Sequence, residues 1–179
     1  MPTYDRPYFI KMCCLTLLLL IQPSPAFPEV IDGFRELKFG MTKEEVQSLE
    51  RCSSPTECLY ELAGKNRYIH LSYYPEQNSQ ARPTLARISI DMGHFSNEWY
   101  ANLQNILQKQ YQLTHDLRES DIDAFEKERV SELTSGYENG QVLLQVVRRT
   151  FGNLILKVIY QSPALAAATL QQLENSSHS

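Results

Sequence analysis

Alternation of apolar and polar residues is the dominant pattern along this chain, and it predicts β-strands. Between residues 67 and 74, Ile69, Leu71 and Tyr73 point to one side of an extended chain, and the residues between them point to the other. One face of such a strand packs on a core while the other meets water. The predicted strands span residues 34–39, 58–63, 67–74, 84–92, 130–137, 142–150 and 153–161.

Three segments carry helical patterns instead. Thr42 and Glu45 have the spacing of a capping box, which predicts that a short helix begins at Thr42. A second helix begins at Ser96, and its apolar residues recur at helical spacing from Trp99 to Leu107. The third begins at Pro163, because proline suits the first helical turn. The polar stretch 114–129 predicts only a short strand or an irregular loop around residues 122–125.

The two helix starts share one pattern at an offset of 54 residues: Met41 aligns with Phe95, and Thr42 with Ser96. Each helix is followed by about three predicted strands, so a tandem α-β-β-β repeat is one interpretation, and two unrelated amphipathic helices are the other. The predicted fold class is α+β, an antiparallel sheet with helices on one face. Residues 27–174 form the single domain, with possible halves at 34–93 and 94–161, a C-terminal helix at 163–174 and a disordered tail at 175–179.

The N-terminal residues indicate export. Arg6 and Lys11 precede an apolar run over residues 12–21, and Ser24 and Ala26 occupy the positions that a signal peptidase recognises. Residues 1–26 are therefore predicted to be a signal peptide, and its apolar run of about 10 residues is shorter than the ~20 of a membrane span. The expected location is periplasmic or secreted, with no membrane anchor after cleavage.

The net charge of the chain argues against two classes of binding function. The whole chain has a formal net charge of −4, and residues 27–179 carry 15 basic and 20 acidic side chains, a net charge of −5. A mildly acidic protein without a basic stripe is a poor candidate for binding nucleic acid or anionic membranes.

Two cysteines remain after signal cleavage, Cys52 and Cys58, and a Ser/Pro turn separates them. In an oxidising compartment this pair predicts one disulfide bond. A zinc pair and a redox couple are the alternatives, but five intervening residues fit neither zinc-ligand spacing nor a Cys-x-x-Cys motif.

Residues 33–46 carry the sequence Gly-Phe-Arg-Glu-Leu-Lys-Phe-Gly-Met-Thr-Lys-Glu-Glu-Val. This stretch resembles the Gly-Met-Thr/Ser-x-x-(Glu/Gln)-Val element of small exported bacterial envelope proteins. That group includes the outer-membrane-assembly lipoproteins and the β-lactamase-inhibitor-like domains. The resemblance implies a fold of helices on an antiparallel sheet. This chain lacks the lipidation cysteine of the lipoproteins.

The sequence contains no established catalytic motif: no phosphate-binding glycine loop, no nucleophile elbow and no zinc-protease helix. We therefore expect no enzyme activity, no cofactor and no metal site. His115 and Asp116 are adjacent, but neighbours on a strand point to opposite faces, which favours a surface histidine. The acidic segment 119–128 lacks the glycine and the spaced oxygen ligands of a calcium loop, which favours a solvated segment.

The best candidate site is an aromatic sheet face formed by Tyr68, His70 and Tyr74, with Arg87 on the next strand. Tyrosine, histidine and arginine suit partner recognition because they combine a large contact area with polar groups. The alternative is that a helix covers this face.

Three functions follow from these patterns. The first is an exported, non-enzymatic interaction module that binds another envelope protein. The second is a carrier with a cavity between helices and sheet that holds a small ligand. The third is an enzyme with an unfamiliar site around His115, Asp116 and the acidic segment.

Overall fold

Most of the predicted strands pair with one another in a single antiparallel sheet. The computed structural model describes residues 31–75 and 82–175, so the predicted signal peptide and residues 176–179 of the predicted disordered tail lie outside the described residues, whereas Asn175 ends the last helix. The strands are β1 (Gly33–Phe34), β2 (Leu37–Lys38), β3 (Cys52–Ser54), β4 (Glu57–Leu62), β5 (Lys65–Tyr74), β6 (Thr84–His94), β7 (Leu113–His115), β8 (Glu132–Tyr137), β9 (Val142–Arg148) and β10 (Leu154–Gln161). The helices are α1 (Lys43–Gln47), α2 (Asn97–Gln110), α3 (Glu119–Glu126) and α4 (Pro163–Asn175).

Within the described residues, strands β3 to β10 form one sheet in the order β3-β4-β5-β6-β10-β9-β8-β7. Strands from the predicted first half occupy one side of the sheet, and strands from the second half occupy the other. The final strands of the two halves, β6 and β10, pair antiparallel at the centre, with Ile90 opposite Val158 and Ile88 opposite Tyr160. Each half contributes four strands to this sheet rather than about three, and the second half also contains α3 between its first two strands.

The first helix begins as its capping residues predict. The Glu45 backbone N–H donates to Thr42 Oγ1 at 3.2 Å, and the Thr42 backbone N–H donates to Glu45 Oε2 at 2.7 Å. The Thr42 backbone N–H and the Thr42 hydroxyl both donate to the Glu45 carboxylate, and these two hydrogen bonds lower the pKa of that carboxyl. α1 buries Val46 completely in the core.

One apolar core lies against one face of the sheet. Strand residues such as Ile69, Ile90 and Val158 form a buried cluster. Helices pack into the same cluster through Val46 of α1, Leu103 and Leu107 of α2, and Phe125 of α3. The predicted α+β class, with helices on one face of an antiparallel sheet, is confirmed for α1, α2 and α3. The β1–β2 hairpin also joins this core, because the Phe34 ring packs 5.3 Å from that of Tyr160.

The fourth helix packs on the face of the sheet opposite the main core. Leu143 and Ile159 are paired and buried on the opposite face of the sheet, outside the main cluster. α4 follows directly on β10, and its buried Ala166 also lies outside that cluster. Gly140 contacts α4: a Cβ there would come within 2.9 Å of Leu170 Cγ, and φ is +79°. Only glycine fits this close approach without strain. α4 therefore covers the β9–β10 part of the second face.

Four elements differ from the sequence prediction. The strand predicted over residues 34–39 is instead the β1–β2 hairpin, because residues 35 and 36 form a turn. Residues 119–126 form helix α3 rather than a strand or loop around residues 122–125. Only Phe125 of this helix is buried, and its acidic residues face solvent or pair with basic side chains, so no apolar stripe indicated a helix in the sequence. The short strands β3 and β7 were not predicted, since three residues are too few for a visible alternation.

The predicted disulfide is confirmed, joining Cys52 to Cys58. The two residues lie directly opposite each other in the β3–β4 pair. The bond therefore fastens the three-residue strand at the edge of the sheet to the longer strand beside it.

Removal of this disulfide should lower the stability of the domain. Cross-linking a loop this short removes conformational entropy from the unfolded chain that corresponds to about 2 kcal/mol. We expect the double variant C52S/C58S to lose about that free energy of unfolding in urea denaturation. Dithiothreitol should cause an equal loss in the parent protein and none in the variant. Equal stability of the two oxidised proteins would contradict this prediction.

Removal of the α1 cap should cost less stability than removal of the disulfide, and the loss should depend on the side-chain oxygen of Thr42. Thr42→Ala leaves the Glu45 backbone N–H without its side-chain acceptor, and we expect a loss of about 1 kcal/mol in the free energy of unfolding. Thr42→Ser keeps an oxygen at the same position and should retain most of the stability. Urea denaturation of the three proteins measures the difference, and a serine variant as unstable as the alanine variant would argue against the cap.

Candidate functional site

The four predicted site residues lie together on the sheet face opposite the core. Tyr68, His70 and Tyr74 share one side of β5 because they are separated by even numbers of residues. Arg87 lies on β6 directly opposite Ser72, so it shares their face. The Tyr68 side chain is 55% exposed, and His70 and Tyr74 are exposed as well. We call Leu59, Tyr68, His70, Tyr74 and Arg87 the open face.

Leu59 was not predicted as part of this site. It lies on β4 directly opposite Tyr68 and is 40% exposed, so the two side chains form an apolar centre on the open face. Its alternation within residues 58–63 was visible in the sequence. What the sequence did not show was that β4 pairs with β5 in the register that brings these two residues together.

Polar contacts surround this apolar centre. His70 Nδ1 lies 3.7 Å from Glu57 Oε2 on the neighbouring strand. Arg87 Nη2 donates to Gln161 Oε1 at 3.0 Å, and Gln161 Nε2 donates to the Gly140 carbonyl at 2.8 Å. Gln161 is completely buried, so Arg87 is held at the boundary between the open face and the part of the sheet that α4 covers.

A second candidate site lies on the core side of the sheet, beneath α3. It is a cavity of 510 Å³, which we call the α3 cavity. Its mainly apolar lining comes from the start of α2, from α3 and the segment before it, and from β8, β9 and β10. The lining residues are Phe95, Asn97, Tyr100, Leu117, Ile122, Phe125, Glu126, Leu133, Val146, Arg148 and Leu154.

Arg148 is the positive charge in the lining of the α3 cavity. Its Nη2 donates to the Phe125 carbonyl at 2.9 Å, and its Cζ lies 4.5 Å from the centre of the Phe125 ring. The Glu128 carboxylate is 3.7 Å from Nη1, but that side chain is 74% exposed. Arg148 Nε is buried and has no hydrogen-bond partner within the described part of the chain.

Buried hydroxyl groups lie next to the α3 cavity. The Tyr100 and Ser135 hydroxyls are hydrogen-bonded at 3.0 Å. The Tyr137 hydroxyl is buried, and no residue that the structure describes hydrogen-bonds to it. Burial raises the pKa of Tyr137 to about 12, with smaller contributions from Tyr100 and Asp116. Burial also raises the pKa of Tyr100.

No hydrogen bond or ion pair joins the sequence-adjacent residues His115 and Asp116 in the part of the chain that the structure describes. His115 lies on β7 opposite Gly136, whereas Asp116 Oδ1 accepts from the Leu117 backbone N–H at 2.8 Å. In the acidic segment, Asp123 contacts Lys127 at 2.7 Å and Arg129 at 2.6 Å. Among residues 31–75 and 82–175, no three His, Cys, Asp or Glu side chains are grouped as metal ligands would be. Over the same residues, no helix is long and apolar enough to span a membrane.

A family model described as "Uncharacterised protein" matches residues 34–176, which is most of the chain. The chain belongs to this family. The match begins at β1 and ends at α4, so it covers both the open face and the α3 cavity. Comparisons with curated proteins and with solved structures gave no match.

The buried Tyr137 hydroxyl leads to a pH-dependent prediction. Because the pKa is about 12 in the folded protein and about 10 in an unfolded chain, the native state retains a proton that the unfolded state loses. The stability that this group contributes is complete below pH 10 and is lost as the pH rises towards 12. Tyr137→Phe removes the effect together with an unpaired buried donor.

We therefore expect Tyr137→Phe to be at least as stable as the parent protein at pH 7 and to lose less stability between pH 7 and pH 11. Urea denaturation at both pH values measures this difference. Tyr68→Phe removes an exposed hydroxyl and serves as the control. If Tyr137→Phe and the parent protein lost equal stability at pH 11, the prediction would be wrong.

Proposed function

We propose that this protein is an exported, non-enzymatic interaction module that binds another envelope protein through the open face. The observation that carries the proposal is that α4 covers only part of the second sheet face. Leu143 and Ile159 are buried on that face, whereas Tyr68 and Leu59 are 55% and 40% exposed on it.

The composition of the open face supports protein binding. Interfaces have an apolar centre and a polar rim, and tyrosine and arginine are enriched in them. Leu59 and Tyr68 supply the centre, and His70, Glu57 and Arg87 supply hydrogen-bonding groups around it. The fitting partner is a folded protein that presents an apolar side chain for this centre and polar groups for the rim.

Sequence features support the export part of the proposal. The predicted signal peptide and the resemblance of residues 33–46 to small bacterial envelope proteins point to the periplasm or the exterior. The Cys52–Cys58 disulfide agrees with an oxidising compartment. The resembling stretch forms the β1–β2 hairpin and the capped start of α1, on the core side of the sheet.

Site-specific cross-linking in the native envelope tests the proposal. A photoreactive phenylalanine analogue replaces Tyr68 in one exported protein and Ile106 in another. Ile106 is a matched control because it is 48% exposed and lies on α2, on the other side of the molecule's sheet. We expect a discrete cross-linked protein from position 68 only, identified by mass spectrometry.

The identified partner is then titrated with purified variants. Tyr68→Ser and Leu59→Ser should each weaken binding by roughly tenfold or more, as central interface residues do. Ile106→Ser should bind as the parent does. Unchanged affinity in both open-face variants, or cross-links at position 68 to a second copy of this chain alone, would contradict the proposal.

A further inference from the structure

The α3 cavity has the dimensions of a site for a small molecule. Its 510 Å³ falls within the roughly 300–1,000 Å³ of typical ligand pockets. Aromatic and branched aliphatic side chains dominate its lining, so a bound molecule must have an apolar body. The open face has no part in this site, because the two lie on opposite sides of the sheet.

Helix α3 leaves apolar surface uncovered at the cavity. Phe125 is its buried anchor, whereas Ile122 lines the cavity and is still 41% exposed. Burial of apolar surface in contact with water favours binding. A molecule in the cavity would therefore gain binding energy from Ile122 without displacing any side chain from the core.

Arg148 determines the head group that fits. The carboxylate that pairs with its Nη1, that of Glu128, is 3.7 Å away and belongs to an exposed side chain, so this ion pair leaves the guanidinium able to bind a second acceptor. A carboxylate accepts strong, charge-assisted hydrogen bonds from a guanidinium group. The carboxylates of Glu126 and Glu128 near the same rim disfavour a head group with two negative charges.

From these contacts we propose that the α3 cavity binds an apolar monocarboxylate, such as a medium-chain fatty acid. The apolar chain lies between Ile122, Leu133 and Leu154, and the carboxylate pairs with Arg148. This assignment does not depend on the open face, and either site can function without the other.

Calorimetric titration of the purified protein with decanoate, at concentrations below those at which decanoate forms micelles, tests whether the α3 cavity binds an apolar chain. We expect saturable binding with one molecule per chain. Ile122→Trp fills the cavity from its exposed side and should weaken decanoate binding at least tenfold. Ile106→Trp places the same side chain at an exposed α2 position that does not line the cavity, and it should bind as the parent does. No saturable binding, or equal binding by Ile122→Trp, would overturn the proposal.

A second pair of variants tests the head group. Arg148→Met removes the charge and should weaken decanoate binding about tenfold or more, the effect of a charge-assisted hydrogen bond, while decanol binding changes little. Arg149→Met is the control, since Arg149 pairs with Asp91 and lies outside the cavity lining. Thermal unfolding of each variant confirms that it is folded. Equal losses for decanoate and decanol in Arg148→Met would overturn the assignment of the carboxylate to Arg148.

Discussion

The antiparallel pairing of β6 with β10 is the interaction on which the rest of the structure depends. It joins residues about 70 positions apart in sequence, including Ile88 with Tyr160 and Ile90 with Val158. Without it, each four-stranded half would expose an open edge and half of a core. With it, α1, α2 and α3 share one continuous apolar cluster. Both candidate sites follow from this pairing, because β6 carries part of the open face and β10 carries part of the α3 cavity.

The helices cover the two sheet faces unequally, and the sites lie where that cover is incomplete. On the core face, α3 is anchored by Phe125 and leaves the cavity below Ile122. On the second face, α4 packs against the β8–β9 turn at Gly140, and Leu143 of β9 and Ile159 of β10 are buried, whereas Tyr68 of β5 is exposed. Arg87 and Gln161 mark the boundary between the covered and uncovered parts. A sheet of this width cannot be covered by one 13-residue helix.

Local patterns in the sequence predicted the parts of the fold that local physics determines. The period of two located β5 and β6, the Thr42–Glu45 pair located α1, and the spacing of two cysteines predicted the disulfide. The same alternation grouped Tyr68, His70 and Tyr74 on one face. Helix α3 was missed because its two apolar contacts, Ile122 and Phe125, are too few to establish a helical period. The sequence allowed a cavity between helices and sheet as one hypothesis but did not locate the α3 cavity, since Tyr100, Leu133 and Leu154 meet only through long-range strand order.

The edges of the sheet have a consequence for how the protein behaves at high concentration. Both outermost strands, β3 and β7, are three residues long, so they offer few free backbone donors and acceptors to a foreign strand. Short edges of this kind protect β-rich proteins from polymerising edge to edge. At the β3 edge the Cys52–Cys58 disulfide also links the outer strand covalently to β4, so β3 cannot separate from the longer strand beside it. Each outermost strand of the eight-stranded sheet thus offers a second copy only three residues for edge-to-edge pairing.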